Sequence, residues 1–218
     1  MKSLNGVNTL ISSGDDIPPF DFYSPLMSLP FVLNTTLSTI PAPKFYLQSM
    51  AEKRAKWGRL LGASQQPRIG IVWSGSVTHK NDHNRSMRLK TILQGIPAEY
   101  EKISLQKEVR SNDAKVLMRM PHIKHFGAEL KDFSDTAALI EHLDAVVSVD
   151  TSVAHLAGAL GKPIHLLLSH EIDFRWLTDR PDSPWYPSMT IYRRKLTADW
   201  SDVMQQVTAE LRVLQKEQ

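Results

Sequence analysis

AVVSVDTSVAHLAGALGKPIHLLL, residues 145–168, is the stretch whose reading decides the fold. Residues 145–149 are a continuous valine-rich run, short enough for a strand buried on both faces. The run stops at Asp150, Thr151 and Ser152, residue types that favour the N-cap of a helix. Residues 153–160 turn to alanine, leucine and other small residues, which let a helix pack closely on a sheet. Gly161 suits the position just past a helix and Pro163 cannot continue one, so the helix ends there. A second apolar run, 164–168, reads as the next parallel strand. The whole is a β–α–β unit whose polar turn lies at the carboxyl end of its first strand, the edge where open α/β sheets bind ligands.

The turn has two readings. A helix N-terminus offers unpaired N–H groups and the positive end of the helix dipole, which suit phosphate or carboxylate. The hydroxyls of Thr151 and Ser152 add donors, and His155, one turn further on, can face the same point. Asp150 does not fit a phosphate contact, because two anions repel; it either caps the helix or accepts from sugar hydroxyls. In the plainer reading Asp150 only caps a buried helix and His155 is a satisfied interior residue.

Working outward toward the carboxyl end, residues 189–192 form a last strand and 199–214 an amphipathic helix with Val203, Val207, Leu211 and Leu214 on one face. Between them and the central unit lies RWLTDRPDSPWYPS, residues 175–188, either a loop closing the core or a wall for a sugar or base. Toward the amino end the predicted elements alternate: strands at 69–73, 102–105 and 122–126, helices at 89–93, 113–120 and 135–143, the last capped by Ser134 or Asp135. Strands alternating with crossover helices imply a parallel, doubly wound, Rossmann-like sheet of about six strands. Residues 44–61 read as an amphipathic helix presenting Tyr46, Met50, Trp57 and Leu61, and this helix is expected to pack beside the one at 199–214. Residues 1–43 hold six prolines and do not read as a domain; only 31–36 suggests a short strand, and the Phe, Leu and Tyr of the segment are expected to bury against the sheet domain or a neighbouring chain.

The loop WSGSVTHKNDHNRS, residues 73–86, follows the first strand. Gly75 permits a tight turn, and Lys80 and Arg85 stand beside small donors such as Ser74, a set able to wrap an anion or merely to make a solvated loop. It has neither the GxxxxGK[ST] spacing of a P-loop nor GxGxxG. His79 with His83 and His122 with His125 lack a carboxylate partner pattern, so no metal site is expected. No GxSxG elbow indicates a serine hydrolase. The net charge of +3, without a dense basic run, does not indicate nucleic-acid binding. The chain has no cysteine, which fits the cytosol, and neither a signal peptide nor an apolar run of the ~20 residues needed to span a membrane is expected.

In this order and spacing, WSGSVTHKNDHNRS, SLQK (104–107), DFSDTAALI (132–140), VDTSVAHLAGALGKP (149–163) and the RW…DSPWYPS loop resemble one family. They are similar to the carboxy-terminal half of heptosyltransferase-like glycosyltransferases (family nine), in the version found in bacteria behind tetratricopeptide repeats. The resemblance covers residues 20–211 and is most diagnostic over 150–163. It implies a GT-B fold, two Rossmann-like domains across a cleft, of which 44–218 would be the domain that binds a nucleotide-sugar donor. Thr151, Ser152 and His155 would then hold the donor diphosphate, with Asp150 supporting the turn or meeting the sugar. Lys80 and Arg85 would offset charge on the departing nucleoside diphosphate, so that no metal or other cofactor is needed. Gln106 would contact ribose or base, and residues 133–136 would border the base. Residues 1–43 would be a linker or remnant of the amino-terminal acceptor domain, which in the family usually supplies the catalytic base. Donor binding is therefore expected of this chain, and turnover is expected to depend on an acceptor domain of this or a neighbouring chain. The alternative is a non-catalytic nucleotide-binding or protein-interaction module that keeps the half-fold. The base, the sugar and the acceptor are not legible.

Overall fold

The computed structural model describes residue 4, residues 6–171 and residues 173–214. Six strands, β1 (Arg68–Val72), β2 (Glu101–Ser104), β3 (Ile123–His125), β4 (Ala145–Val149), β5 (Ile164–Leu168) and β6 (Met189–Arg193), form one sheet. All are parallel, in the order β3-β2-β1-β4-β5-β6. This is the doubly wound order of the Rossmann-like sheet. β4 and β5 are buried at every position, as valine-rich runs without alternation require.

The helices are α1 (Leu29–Val32), α2 (Ala51–Leu61), α3 (Asp82–Arg85), α4 (Leu89–Gln94), α5 (Ser111–Met118), α6 (Phe133–Ile140), α7 (Ser152–Ala159) and α8 (Ser201–Leu214). One core packs Trp57 and Leu61 of α2, Leu139 and Ile140 of α6, and Ala154 and Ala157 of α7 against Val72, Val146 and Leu166. The other packs Leu89 and Ile92 of α4 and Val203, Val207 and Leu211 of α8 against Ile69, Ile71 and Val147. Successive residues of one strand thus feed opposite cores, and α2 and α8 lie on opposite faces of the sheet. The expected pairing of those two helices is wrong, because each is anchored elsewhere. Trp57 Nε1 (3.3 Å) and Lys53 Nζ (2.9 Å) donate to Asp135 of α6, while Thr208 of α8 donates to the Gly95 carbonyl beyond α4 (3.0 Å). The side chain of Leu214, expected on the buried face of α8, lies outside the described residues.

The amino-terminal stretch departs most from expectation. Residues 31–36 form no strand; Leu29–Val32 is a single helical turn. Residues 44–50 are not helical, so Tyr46 and Met50 are not on the face of α2. The N–H groups of Tyr46 and Leu47 instead donate to the Ala159 carbonyl at the end of α7 (3.0 Å each), which holds this arm extended. Phe20, Phe22, Tyr23 and Phe31 are exposed rather than buried on the sheet. Prolines deny the segment a periodic apolar face, and helices already cover both faces of the sheet.

α7 ends as the sequence demands. Gly161 has φ +72°, its N–H donates to the Gly158 carbonyl (2.9 Å), and that of Lys162 donates to the Ala157 carbonyl (3.0 Å). These are the paired bonds of a Schellman motif. α6 starts earlier than expected, with Asp132 as its cap: the carboxylate accepts from the N–H groups of Ser134 (2.8 Å) and Asp135 (3.2 Å). Asp135 cannot cap, because its side chain is committed to Lys53 and Trp57.

Candidate functional site

From β1 the chain crosses to β2 on one side; from β4 it crosses to β5 on the other. Between these neighbours the connections diverge, and a crevice opens at their carboxyl ends. The register Val72↔Ser148 sets the loop after β1 beside the turn before α7. Ile71↔Ser104 brings the segment after β2 alongside.

Two clefts meet there. The larger, about 850 Å³, is lined by the loop after β1 (Ser74 to Thr78 and Arg85), by Leu105 to Arg110 after β2, by Leu130, Asp132, Phe133 and Thr136 at the start of α6, and by Thr151, Ser152 and Val153. The smaller, about 440 Å³, is lined by His79, Asn81, Asp150, His155, Glu171, Asp173, Arg175 and Trp176 among others. Arg85, Thr151 and Ser152 line both.

The start of α7 lies at this junction. Thr151 is its N-cap but makes no side-chain capping bond; its hydroxyl lies 3.2 Å from that of Ser148. The N–H groups of Ser152 and Val153 meet no acceptor among the described residues, so two donors and the positive helix end stay open. Asp150 does not cap. Its carboxylate meets no donor among the described residues and faces the second cleft, while its carbonyl accepts from Arg85 Nη1 (3.0 Å).

Arg85 stands between the clefts because α3 carries it there and Gly75 leaves it room. A Cβ on Gly75 would lie 2.3 Å from Arg85 Nη2. Gly75 is otherwise spent: its N–H donates to Ser86 Oγ (3.0 Å) and its carbonyl accepts from Arg110 (3.3 Å). Gln106 is buried and also committed, its amide bonding both the N–H (3.3 Å) and the carbonyl (2.9 Å) of Ser74. It joins the loops after β1 and β2 while lining the larger cleft. Lys80 is exposed and lines neither cleft, although His79 and Asn81 on either side of it line the second.

His155 is held from three directions. Its ring stacks on Trp176 (centroids 4.9 Å apart, 22° between planes) and meets the edge of Tyr186 (5.8 Å, 65°). Its Nδ1 lies 3.0 Å from the Tyr186 hydroxyl. Burial pushes its pKa below the ordinary histidine value, with Asp150 opposing the shift, so the ring is neutral at pH 7.

Four participants have no individual role legible in the sequence. Arg110 bonds Asp82 (2.5 Å) and the Gly75 carbonyl and lines the larger cleft; its only sequence signal is a cation shortly after the strand preceding α5. Arg175 and Trp176 were seen as part of a possible wall, without individual roles. Tyr186, from the same loop, was not connected with His155 at all.

Glycosyltransferase family 9 (heptosyltransferase) matches residues 127–172, which contain α6, β4, α7 and β5. Protein FlbA of Caulobacter vibrioides is 24% identical over 202 residues, covering 88% of this chain and 33% of FlbA. The structure of ADP-heptose LPS heptosyltransferase II of E. coli superposes with a TM-score of 0.53 at 20% identity, over 84% of this chain and 58% of that one. The protein class defined by fold and matched segment is the heptosyltransferase-like GT-B fold. The chain spans about a third of the length of FlbA and under two thirds of the heptosyltransferase. Within these bounds the chain is similar to glycosyltransferase family 9 over residues 127–172, with the six-stranded Rossmann-like sheet as its organised unit.

Proposed function

We propose that this chain binds the nucleoside-diphosphate-sugar donor of a glycosyl transfer. The observation that carries the reading is the junction of two clefts at the open N-terminus of α7, with Arg85 between them. The diphosphate would sit on the free N–H groups of Ser152 and Val153 and the Thr151 and Ser152 hydroxyls, its charge offset by Arg85 and the helix dipole. The nucleoside would extend along the larger cleft toward Leu105, Phe133 and Thr136. The sugar would enter the smaller cleft, where the unpaired Asp150 carboxylate can accept from its hydroxyls. In transfer, the bond between the anomeric carbon and the diphosphate oxygen breaks and the electron pair leaves with the nucleoside diphosphate. The cation and dipole favour that departure without requiring a metal. An acceptor domain, of this protein or a partner, would supply the acceptor and its base. The exposed Phe22 and Phe31 favour a second reading, a protein-interaction module that retains the nucleotide site.

Calorimetric titration with ADP, GDP and UDP tests the proposal. One of the three is expected to bind wild type, and Arg85→Ala to bind it about 10- to 100-fold less tightly, the worth of a hydrogen bond to a charged group. Circular dichroism must show the variant folded. No binding to wild type, or equal binding by a folded Arg85→Ala, rejects the site.

A further inference from the structure

The geometry points to Tyr186 as a positioning residue that presents His155 to the second cleft as an N–H donor through Nε2. The role rests on the reading given above, in which the start of α7 and the second cleft receive the donor.

The helix is built to admit this tyrosine. Gly158 lies one turn beyond His155, in the last turn of α7. A Cβ there would stand 2.5 Å from Tyr186 Cγ. The missing side chain is thus the space in which the Tyr186 ring lies across the helix, and from there its hydroxyl reaches His155 Nδ1 (3.0 Å).

The direction of that bond follows from what each group has to offer. Tyr186 is buried, and among the described residues its hydroxyl meets His155 Nδ1 at 3.0 Å, with the Tyr46 side chain as its next polar neighbour. A buried O–H left without an acceptor is costly. Donation to Nδ1 avoids that cost. Burial first, then neighbouring Tyr46, push the phenol pKa well above its ordinary value, so the proton stays on oxygen. The His155 ring is neutral, and a neutral imidazole that accepts at Nδ1 carries its proton on Nε2. Nε2 meets no protein partner among the described residues, and His155 lines the second cleft. Trp176 stacks on the ring, with 22° between the planes. The charged groups that act on this ring are Asp150, Asp173 and Arg175; a proton on Nε2 gives a ligand oxygen there a donor beside them.

The test uses the full chain and nitrogen NMR of the histidine rings, with the His155 signals assigned by their loss in His155→Gln. In wild type, Nδ1 is expected to be unprotonated and Nε2 protonated at pH 7. This part of the result does not depend on the tyrosine variant. In Tyr186→Phe the bond that favours the neutral ring is gone, so the His155 pKa is expected to rise. Were Nδ1–H the donor, the tyrosine oxygen would stabilise the charged ring more, and its loss would lower the pKa. A fall, no change, or a protonated Nδ1 in wild type overturns the assignment. Titration of the same variant with ADP, GDP and UDP is expected to show several-fold weaker binding of whichever binds wild type, the worth of one misaligned hydrogen bond. Unchanged affinity overturns the positioning role. If none of the three binds wild type, the donor-binding reading fails, while the sign of the pKa change still decides the tyrosine–histidine assignment.

Discussion

Gly75→Ala separates the position of Arg85 from its charge. The new Cβ would stand 2.3 Å from Nη2 and 2.6 Å from Cζ of Arg85, whereas ordinary contacts begin at 3.4 Å. The guanidinium must therefore retreat by about 1 Å, which displaces the group whose Nη1 donates to the Asp150 carbonyl at 3.0 Å. The obstacle is the far end of a flexible side chain, so the fold can yield cheaply. Gly75 is not in the left-handed region, and alanine restricts the unfolded chain by about 0.4–1 kcal/mol in the variant's favour. Stability is expected to change by less than about 1 kcal/mol in urea unfolding. Affinity for the preferred nucleoside diphosphate is expected to fall about tenfold, because a displaced cation forfeits a charged hydrogen bond of about 1.5–3 kcal/mol. Calorimetry and urea unfolding on one preparation read both quantities. Unchanged affinity in a folded variant would refute the reasoning, since it would mean that the position of Arg85 does not matter to the site.

Asp150→Ala is expected to leave the unfolding free energy within about 0.5 kcal/mol of wild type, because its carboxylate caps nothing; a loss of the size of an N-cap would contradict the geometry. Gly161→Ala forces a side chain into φ +72° and sets a Cβ 2.6 Å from the Lys44 carbonyl, so a loss of at least about 1 kcal/mol is expected in thermal unfolding, with faster amide exchange at Tyr46 and Leu47. Burial pushes His165 down to about 4, so the unfolded chain binds this proton more readily than the folded one. Stability from this group is full above the unfolded value near 6.5 and falls as pH drops toward 4, by about 3 kcal/mol in total. Replacing it in His165→Leu should flatten the urea-unfolding profile over that window.

The sheet was legible because its strands are uninterrupted apolar runs between glycine, proline and capping residues, signals that depend on near neighbours only. What failed depended on distant ones. The periodicity over 44–61 is helical throughout, yet the Ala159 carbonyl takes the N–H groups of Tyr46 and Leu47 and stops the helix at Ala51. The face on which α2 lies is settled by Trp57 meeting Asp135, 78 residues away. In the site, the resemblance implies Gln106 as a ribose or base contact and the loop after β1 puts Gly75 in an anion-wrapping turn, but the polar groups of both are used between loops. Gly158 read only as a small helix residue, since nothing local shows that an aromatic ring 28 positions later fills its gap.

Among the helices that begin at the larger cleft, α6 and α7 differ in how their first N–H groups are used. At α6 the carboxylate of Asp132 has already taken the N–H groups of Ser134 and Asp135, and it is itself paired with Lys53 (3.0 Å). At α7 no side chain caps the helix, and the N–H groups of Ser152 and Val153 meet no acceptor among the described residues. The cleft therefore has a direction. A molecule with one anionic and one neutral end gains by lying with its anion toward Ser152, and loses by being reversed, because at α6 it would meet an acceptor where it needs donors. The asymmetry rests on the side chain of Asp132 at one end and on Arg85 at the other. The orientation of whatever lies in the cleft is thus decided by a residue at the end opposite the charge it directs.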